Sequence, residues 1–242
     1  MTPKDNIFKK GLASVGSFKF NQEVADVFDD MAIRSIPGYQ ELQDLVARLA
    51  LKFYIPGTIL YDLGCSTGNT ILKIFDVLEE TSSEIIPKIV GVDKSEEMIS
   101  MAQNKCFFPS VSLRSGDLQS FILEKSSVII ASYVLQFMSP KERKKIISEI
   151  YKKLMGKGIF ILSEKTISVN GKVEAEIKNL YHKFKLANKY NPFEIEQKEK
   201  ALKKILRPFS ISQYQNLLFE VGFKKVDLIF KNLNFSCLVA LK

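Results

Sequence analysis

Apolar residues fall along the chain in two alternating patterns, short continuous runs and repeats spaced three or four residues apart, which predict strand and helix in turn. Leu60, Tyr61 and Leu63 end one run; Gly64 to Gly68 then supply a turn, and Ile71, Leu72, Ile74, Phe75 and Leu78 follow at helical spacing. Lys88-Ile-Val-Gly-Val-Asp93, bounded by Pro87, predicts a second buried parallel strand. Ser95 then caps a helix carrying Met98, Ile99 and Ala102. Val111 to Leu113, leading to Gly116-Asp117-Leu118, predicts a third strand, Ser127 to Tyr133 a fourth and Gly158 to Glu164 a fifth. Before the fifth, a helix over Pro140 to Leu154 is expected to end on Gly156 and Gly158. A helix over Ile211 to Glu220 precedes two apolar strands, Lys225 to Phe230 and Phe235 to Leu241, joined by Lys231-Asn-Leu-Asn234 as an antiparallel hairpin. The expectation is an α/β, doubly wound, Rossmann-like sheet of seven mostly parallel strands, with a ligand at their carboxyl ends.

Two stretches stand outside this alternation. Residues 1 to 20, interrupted by Pro3, Gly11 and Gly16, read as an arm anchored by Phe8, Phe18 and Phe20. Helices over Asn21 to Ile36, closed by Pro37-Gly38, and over Glu41 to Phe53 then complete an N-terminal arm and lid, residues 1–56, over the glycine turn. Residues 172–206 are charged and mainly helical, with Pro192 in the middle, and predict an insertion above the sheet. The chain is read as one domain, 1–242.

Composition narrows the chemistry. With 46% hydrophobic residues a real core is possible, and no apolar run long enough for a membrane span or a signal peptide is present, so the default compartment is the cytoplasm. Cys65, Cys106 and Cys237 have no pairing or metal-ligand spacing, and His182 is the sole histidine, so neither a disulfide framework nor a metal site is indicated. Any histidine-dependent nucleophile would have to run through His182, whose charged helical surroundings read more simply as an ordinary helix position. The net charge of +8 suits polyanions, yet the lysines of 141–145 and 198–204 read as solvated helix faces without interleaved aromatics. Direct nucleic-acid binding is therefore not expected.

The turn itself carries the sharpest signal. Asp62-Leu-Gly64-Cys-Ser-Thr-Gly68 differs from the spaced glycines of dinucleotide folds, and an acid two residues before the first glycine would repel a pyrophosphate. A ligand with a positive amino group fits better. Asp93 ends the second strand, where a carboxylate can accept both ribose hydroxyls, and Asp117 follows the third; read blandly, both are loop residues or caps. Together these features resemble the class I S-adenosylmethionine-dependent methyltransferases.

The resemblance becomes closer over nearly the whole chain. Arg34-Ser-Ile-Pro-Gly-Tyr39, Tyr61-Asp-Leu-Gly-Cys-Ser66, Leu135-Gln-Phe137, Leu162-Ser-Glu-Lys165, His182-Lys-Phe-Lys-Leu-Ala-Asn188, Glu194-Ile-Glu-Gln-Lys198 and the ending Phe235 to Lys242 are similar to the carboxy-S-adenosyl-L-methionine synthases. The resemblance implies a homodimer that converts S-adenosylmethionine and prephenate to carboxy-S-adenosylmethionine and phenylpyruvate. A partner enzyme would use that product to build 5-oxyacetic acid on the wobble uridine of tRNA. It implies further that Tyr39 meets the cofactor from the lid, that Gly64, Cys65 and Ser66 line its methionine end, Asp93 and Lys94 its ribose, and Asp117 and Leu118 its adenine. In the family's reaction prephenate loses carbon dioxide and hydroxide, the hydroxide deprotonates the sulfonium methyl, and the carbanion captures the carbon dioxide. No protein base is then required.

Two positions depart from the family pattern. Ser132 replaces an asparagine, and Glu199 stands where the family has an arginine that pairs with the carboxylate of carboxy-S-adenosylmethionine. Three readings of Glu199 follow: Lys198 or Lys200 supplies the charge, the helix is shifted by a residue, or the cofactor is ordinary S-adenosylmethionine. Cys65 reads as a small residue for close ligand approach beside a nucleophile reading, and Arg34 as a contact to prephenate carboxylates or as a brace for the lid. Tyr133 and Phe137 are core aromatics or a wall for a substrate ring. The rival functions are a methyltransferase acting on a small molecule or tRNA, and a non-catalytic module that binds the nucleoside.

Overall fold

The computed structural model describes residues 3–9 and 17–242. Five parallel strands, β1 (Ile59–Leu63), β2 (Lys88–Asp93), β3 (Val111–Ser115), β4 (Ser126–Ser132) and β5 (Leu154–Ile167), are joined by β7 (Lys225–Asn232) and β8 (Phe235–Leu241) in the order β3-β2-β1-β4-β5-β8-β7. β8 runs antiparallel to both β5 and β7. A two-residue strand, β6 (Phe209–Ser210), pairs with the far end of β5 and is an eighth strand beyond the seven expected.

Alternation of side chains explains why helices cover both faces. Tyr61, Leu63, Ile129, Ala131, Phe160 and Leu162 point to one face, where they pack with α5 (Pro140–Lys153) and α8 (Ile211–Val221). Leu60, Ile89, Val128, Ile130, Ile159 and Ile161 point to the other, against α2 (Tyr39–Phe53), α3 (Asn69–Glu80) and α4 (Glu96–Lys105). A third, smaller apolar cluster joins Phe8 and Phe18 to Val24, Ala25 and Met31 of α1 (Gln22–Ser35), to Met98 and to Ala201. The arm is thus held by its phenylalanines, while the breaks expected at Gly11 and Gly16 lie outside the described residues.

Several boundaries differ from the sequence reading, three of them for a physical reason. α5 ends at Lys153 without a glycine cap, and Gly156 and Gly158 lie inside a longer β5. Gly158 is required there because a Cβ would sit 2.8 Å from the Ser127 carbonyl oxygen, and the positive φ of 68° falls on Lys157 instead. The stretch 172–206 divides into α6 (Gly171–Ala187) and α7 (Pro192–Lys203): Pro192 opens the second helix, where its missing N–H costs no helical bond, and Asn191 and Glu194 form a capping box. The closing hairpin turns on Leu233 and Asn234 alone, since Asn232 pairs with Phe235. Among the described residues no helix is long and apolar enough to cross a membrane.

Candidate functional site

The register of the parallel strands brings their carboxyl ends together: Leu63 pairs with Val92 and Ala131, and Asp93 with Ser115. At the end of β1 the N–H groups of Gly64 and Cys65 both donate to the Val92 carbonyl, which folds the chain back sharply. Gly64 (φ 75°) and Gly68 (φ 83°) take left-handed conformations, and a Cβ on either would collide with Val134 or with the Cys106 sulfur. The glycines therefore serve packing as much as ligand approach. Gly68 then leads into α3 with no side-chain cap, leaving first-turn N–H groups facing the same space.

That space is a cavity of about 400 Å³. Tyr39, Gly64, Cys65, Ser66, Asp93, Lys94, Asp117, Leu118 and Ser132 all line it, so the structure brings together every cofactor contact read from the sequence except Glu199. The Asp93 carboxylate accepts from the N–H groups of Ser66 and Ser95, each at 2.9 Å. Burial nonetheless holds its pKa above the usual carboxylate range, against the pull of those bonds. Asp117 accepts from the Lys94 ammonium at 2.8 Å and lies below its ordinary range because of it. Lys94 is thus tied to Asp117. Burial drives the Cys65 thiol well above its ordinary value, which leaves no thiolate for a nucleophile.

Asp62, although not among the residues lining the cavity, offers a further sign of a ligand. Its carboxylate is buried at the root of the turn, and its Oδ2 has no hydrogen-bond partner among the described residues. Burial, then the charge of Asp93, pushes its pKa up to about 7. An orphaned buried carboxylate beside bare backbone fits the ammonium end of an amino-acid nucleoside, as the strand-end acids fit its ribose and adenine.

The lid is fastened by a group that sequence reading missed. Asp29 of α1 accepts from Thr67 Oγ1 at 2.6 Å, Asn69 Nδ2 at 2.9 Å and Lys105 Nζ at 2.7 Å. Burial alone would raise its pKa, but these partners hold it below the ordinary value. Asn69 also donates to the Tyr39 hydroxyl at 3.3 Å, so α1, α2, α3 and α4 meet in one polar cluster over the turn. The sequence offered only an acid on an amphipathic helix, with no spacing to mark it.

Behind the first cavity lies a second, of about 150 Å³, sharing the wall formed by Phe18, Phe20, Phe28, Ile36, Tyr133 and Phe137. Glu199 lines this one, in an ion pair with Lys185. Lys198 is buried there and meets Ser35 Oγ at 3.0 Å and Asp5 Oδ2 at 3.4 Å, whereas Lys200 pairs with Glu196 on the exposed side. Of the two lysines considered as substitutes for the family arginine, Lys200 is therefore turned away. Arg34 lines neither cavity. Its guanidinium stacks on Tyr190 and binds the Asn188 carbonyl at 2.8 Å and Asp30 at 3.0 Å, which places it as a brace for the lid. His182 sits on α6 and also lines neither cavity, and among the described residues no cluster of His, Cys, Asp and Glu could hold a metal ion.

The family model described as a methyltransferase domain matches residues 56–218. A carboxy-S-adenosyl-L-methionine synthase of Campylobacter fetus subsp. fetus (strain 82-40) is 36% identical over 241 residues, covering 99% of this chain and 100% of the relative. Its counterpart in Pasteurella multocida (strain Pm70) is 36% identical over 243 residues, covering 99% of each chain. Human N-acetylserotonin methyltransferase in complex with SAM superposes with a TM-score of 0.62 at 12% identity, over 91% of this chain and 55% of that one; that likeness concerns the fold alone.

Proposed function

The chain belongs to the carboxy-S-adenosyl-L-methionine synthase family, and from that premise we propose that it converts S-adenosyl-L-methionine and prephenate to carboxy-S-adenosyl-L-methionine and phenylpyruvate. It is an enzyme that uses S-adenosyl-L-methionine on a class I methyltransferase fold. One observation supports a second, anionic substrate: the cavity rimmed by Asp93 and Asp117 shares an apolar wall with another whose polar lining includes Lys165, Lys185 and Lys198. Two ligands of opposite electrostatic demand can thus lie side by side.

Asp62 and the Gly64 to Ser66 turn would hold the methionine end of the cofactor, Asp93 its ribose, and Asp117 with Leu118 its adenine, under Tyr39 and Ser132. When bound, its sulfonium supplies an acidified methyl group. The chain's own residues exclude water and fix two reactants in register, which can supply much of a rate enhancement without an acid–base pair. In agreement, Asp93 and Asp117 are committed to hydrogen bonds and the Cys65 thiol stays neutral.

The product would pass to a partner enzyme that builds 5-oxyacetic acid on the tRNA wobble uridine, in the cytoplasm, with no direct tRNA contact by this chain. A homodimer fits α6, which buries only Tyr181 and Lys185 and leaves Val173, Leu180 and Leu186 exposed. The test is mass spectrometry of nucleosides after incubating the purified protein with S-adenosylmethionine and prephenate. The carboxylated nucleoside and phenylpyruvate are expected in equal amounts; S-adenosylmethionine returned unchanged, or only demethylated, would overturn the reading. Glu199 favours one rival, methyl transfer to a small molecule or tRNA, which would appear as label from the cofactor methyl on a metabolite or tRNA fraction.

A further inference from the structure

The polar side of the second cavity is arranged for a charge that the chain itself does not fully meet. Lys165 projects from β5, and its ammonium lies over the rings of Tyr181 at 4.7 Å and Phe235 at 5.8 Å. Among the described residues it has no carboxylate within ion-pair distance. Lys185, nearly inaccessible on α6, brings a second ammonium over the same Tyr181 ring at 4.3 Å. Two like charges thus converge on one ring, and the single acid bridging to either is Glu199, whose side chain is 56% exposed. The neighbouring acid, Glu194, is spent on the cap of α7, and Asp5 is shared by Lys198 and Tyr190. Burial, then the charge of Lys185, depresses the Lys165 pKa to about 8, the signature of an ammonium short of negative partners. In the wall common to both cavities, the Tyr133 hydroxyl is buried without a hydrogen-bond partner among the described residues, on a non-glycine residue held at φ 59°.

We infer that this second cavity is a carboxylate subsite in which Lys165 and Lys185 receive the ligand's carboxylate, and that Glu199 is a displaceable stand-in occupying Lys185 until the ligand arrives. The inference rests on the proposed reaction, which offers two sources of such a carboxylate: the acid substrate and the carboxylated product. Glu199 is suited to leaving because its other side already faces water, so release exposes little that was buried.

Calorimetric titration of the full-length protein with prephenate, with carboxy-S-adenosylmethionine and with S-adenosylmethionine tests this. In Lys165→Met and Lys185→Met, at least one carboxylate ligand is expected to bind about tenfold or more weaker, since a charge-assisted bond is lost. S-adenosylmethionine, which lacks that carboxylate, should change by less than about twofold, and Lys185→Arg should restore binding. Which ligand suffers identifies the source. Glu199→Gln, an exposed change that poses no folding risk, should tighten the same ligand severalfold by removing the competitor. Unchanged binding of both carboxylate ligands in the lysine variants, equal weakening of S-adenosylmethionine, or no tightening in Glu199→Gln would overturn the inference. Its failure is separable from that of the reaction. Turnover of prephenate with an unaltered KM, together with unaltered carboxy-S-adenosylmethionine binding, in both lysine variants removes the subsite and keeps the reaction. Lysine-dependent binding of carboxy-S-adenosylmethionine without turnover of prephenate keeps the subsite and removes the reaction.

Discussion

Asp62 makes the sharpest prediction at the residue scale. Its ordinary value is 3.8, and in the folded chain it is pushed up to about 7. Between those values the folded chain holds a proton that the unfolded chain has released, so this group's contribution to stability falls as pH rises through that window. A ligand ammonium reverses the preference by favouring the carboxylate. Asp93 is the charged group acting on Asp62, while Tyr39 and Cys65, which also feel it, stay neutral because burial raises both. Affinity for S-adenosylmethionine should therefore increase severalfold from about pH 5.5 to 7.5, with proton release seen in calorimetry in different buffers. Asp62→Asn should flatten the profile and weaken binding about tenfold at the upper end; a flat wild-type profile would remove Asp62 from the amino group. Asp93 and Asp117 were legible because an acid closing an apolar run has one place to go in a parallel sheet. Arg34 and Glu199 were not, because a lone charge on a helix carries no record of which neighbour it meets.

Elements were legible where one face is buried on each side of the period. β2 and β8 match their expected limits, whereas β5 outgrew its own because Gly156 and Gly158 give the same local signal in a helix stop and in a close strand contact. Only the Ser127 carbonyl, distant in sequence, decides between them. The lid shows the same limit: its amphipathic period predicts the helices but not the fastening. Asp29 joins α1 to the turn, to α3 and to α4 through Thr67, Asn69 and Lys105. Asp29→Ala leaves Lys105 without its carboxylate and unpins the lid from the turn. Weaker S-adenosylmethionine binding is expected, by about tenfold, chiefly through faster dissociation in stopped-flow measurement. Destabilisation should stay near or below about 2 kcal/mol, because the site is only partly buried. Unchanged dissociation would mean that the lid is held by its apolar face alone.

At the scale of the whole molecule, the insertion would link the proposed dimer to the site. α6 offers Val173, Leu180 and Leu186 to the exterior while its opposite side sends Lys185 and Tyr181 into the second cavity. A helix with only two buried residues is weakly held within one chain, so a partner on its outer face would fix the orientation of the inner one. Stable dimers bury roughly 1,200 Å² or more in total, and the exposed Phe193 of α7 and Val169 before α6 are expected to extend the stripe. Leu180→Glu places a charge in that surface and should shift sedimentation from dimer to monomer. If α6 is held from outside, the same variant should raise the KM for the carboxylate substrate while leaving S-adenosylmethionine affinity nearly unchanged, because Asp62 and Asp93 stand on the sheet and Asp117 in the loop after β3, not on the insertion. A monomeric wild type, or a dimer indifferent to Leu180→Glu, would place the interface elsewhere. A monomeric variant with normal kinetics would show that α6 needs no partner to present Lys185.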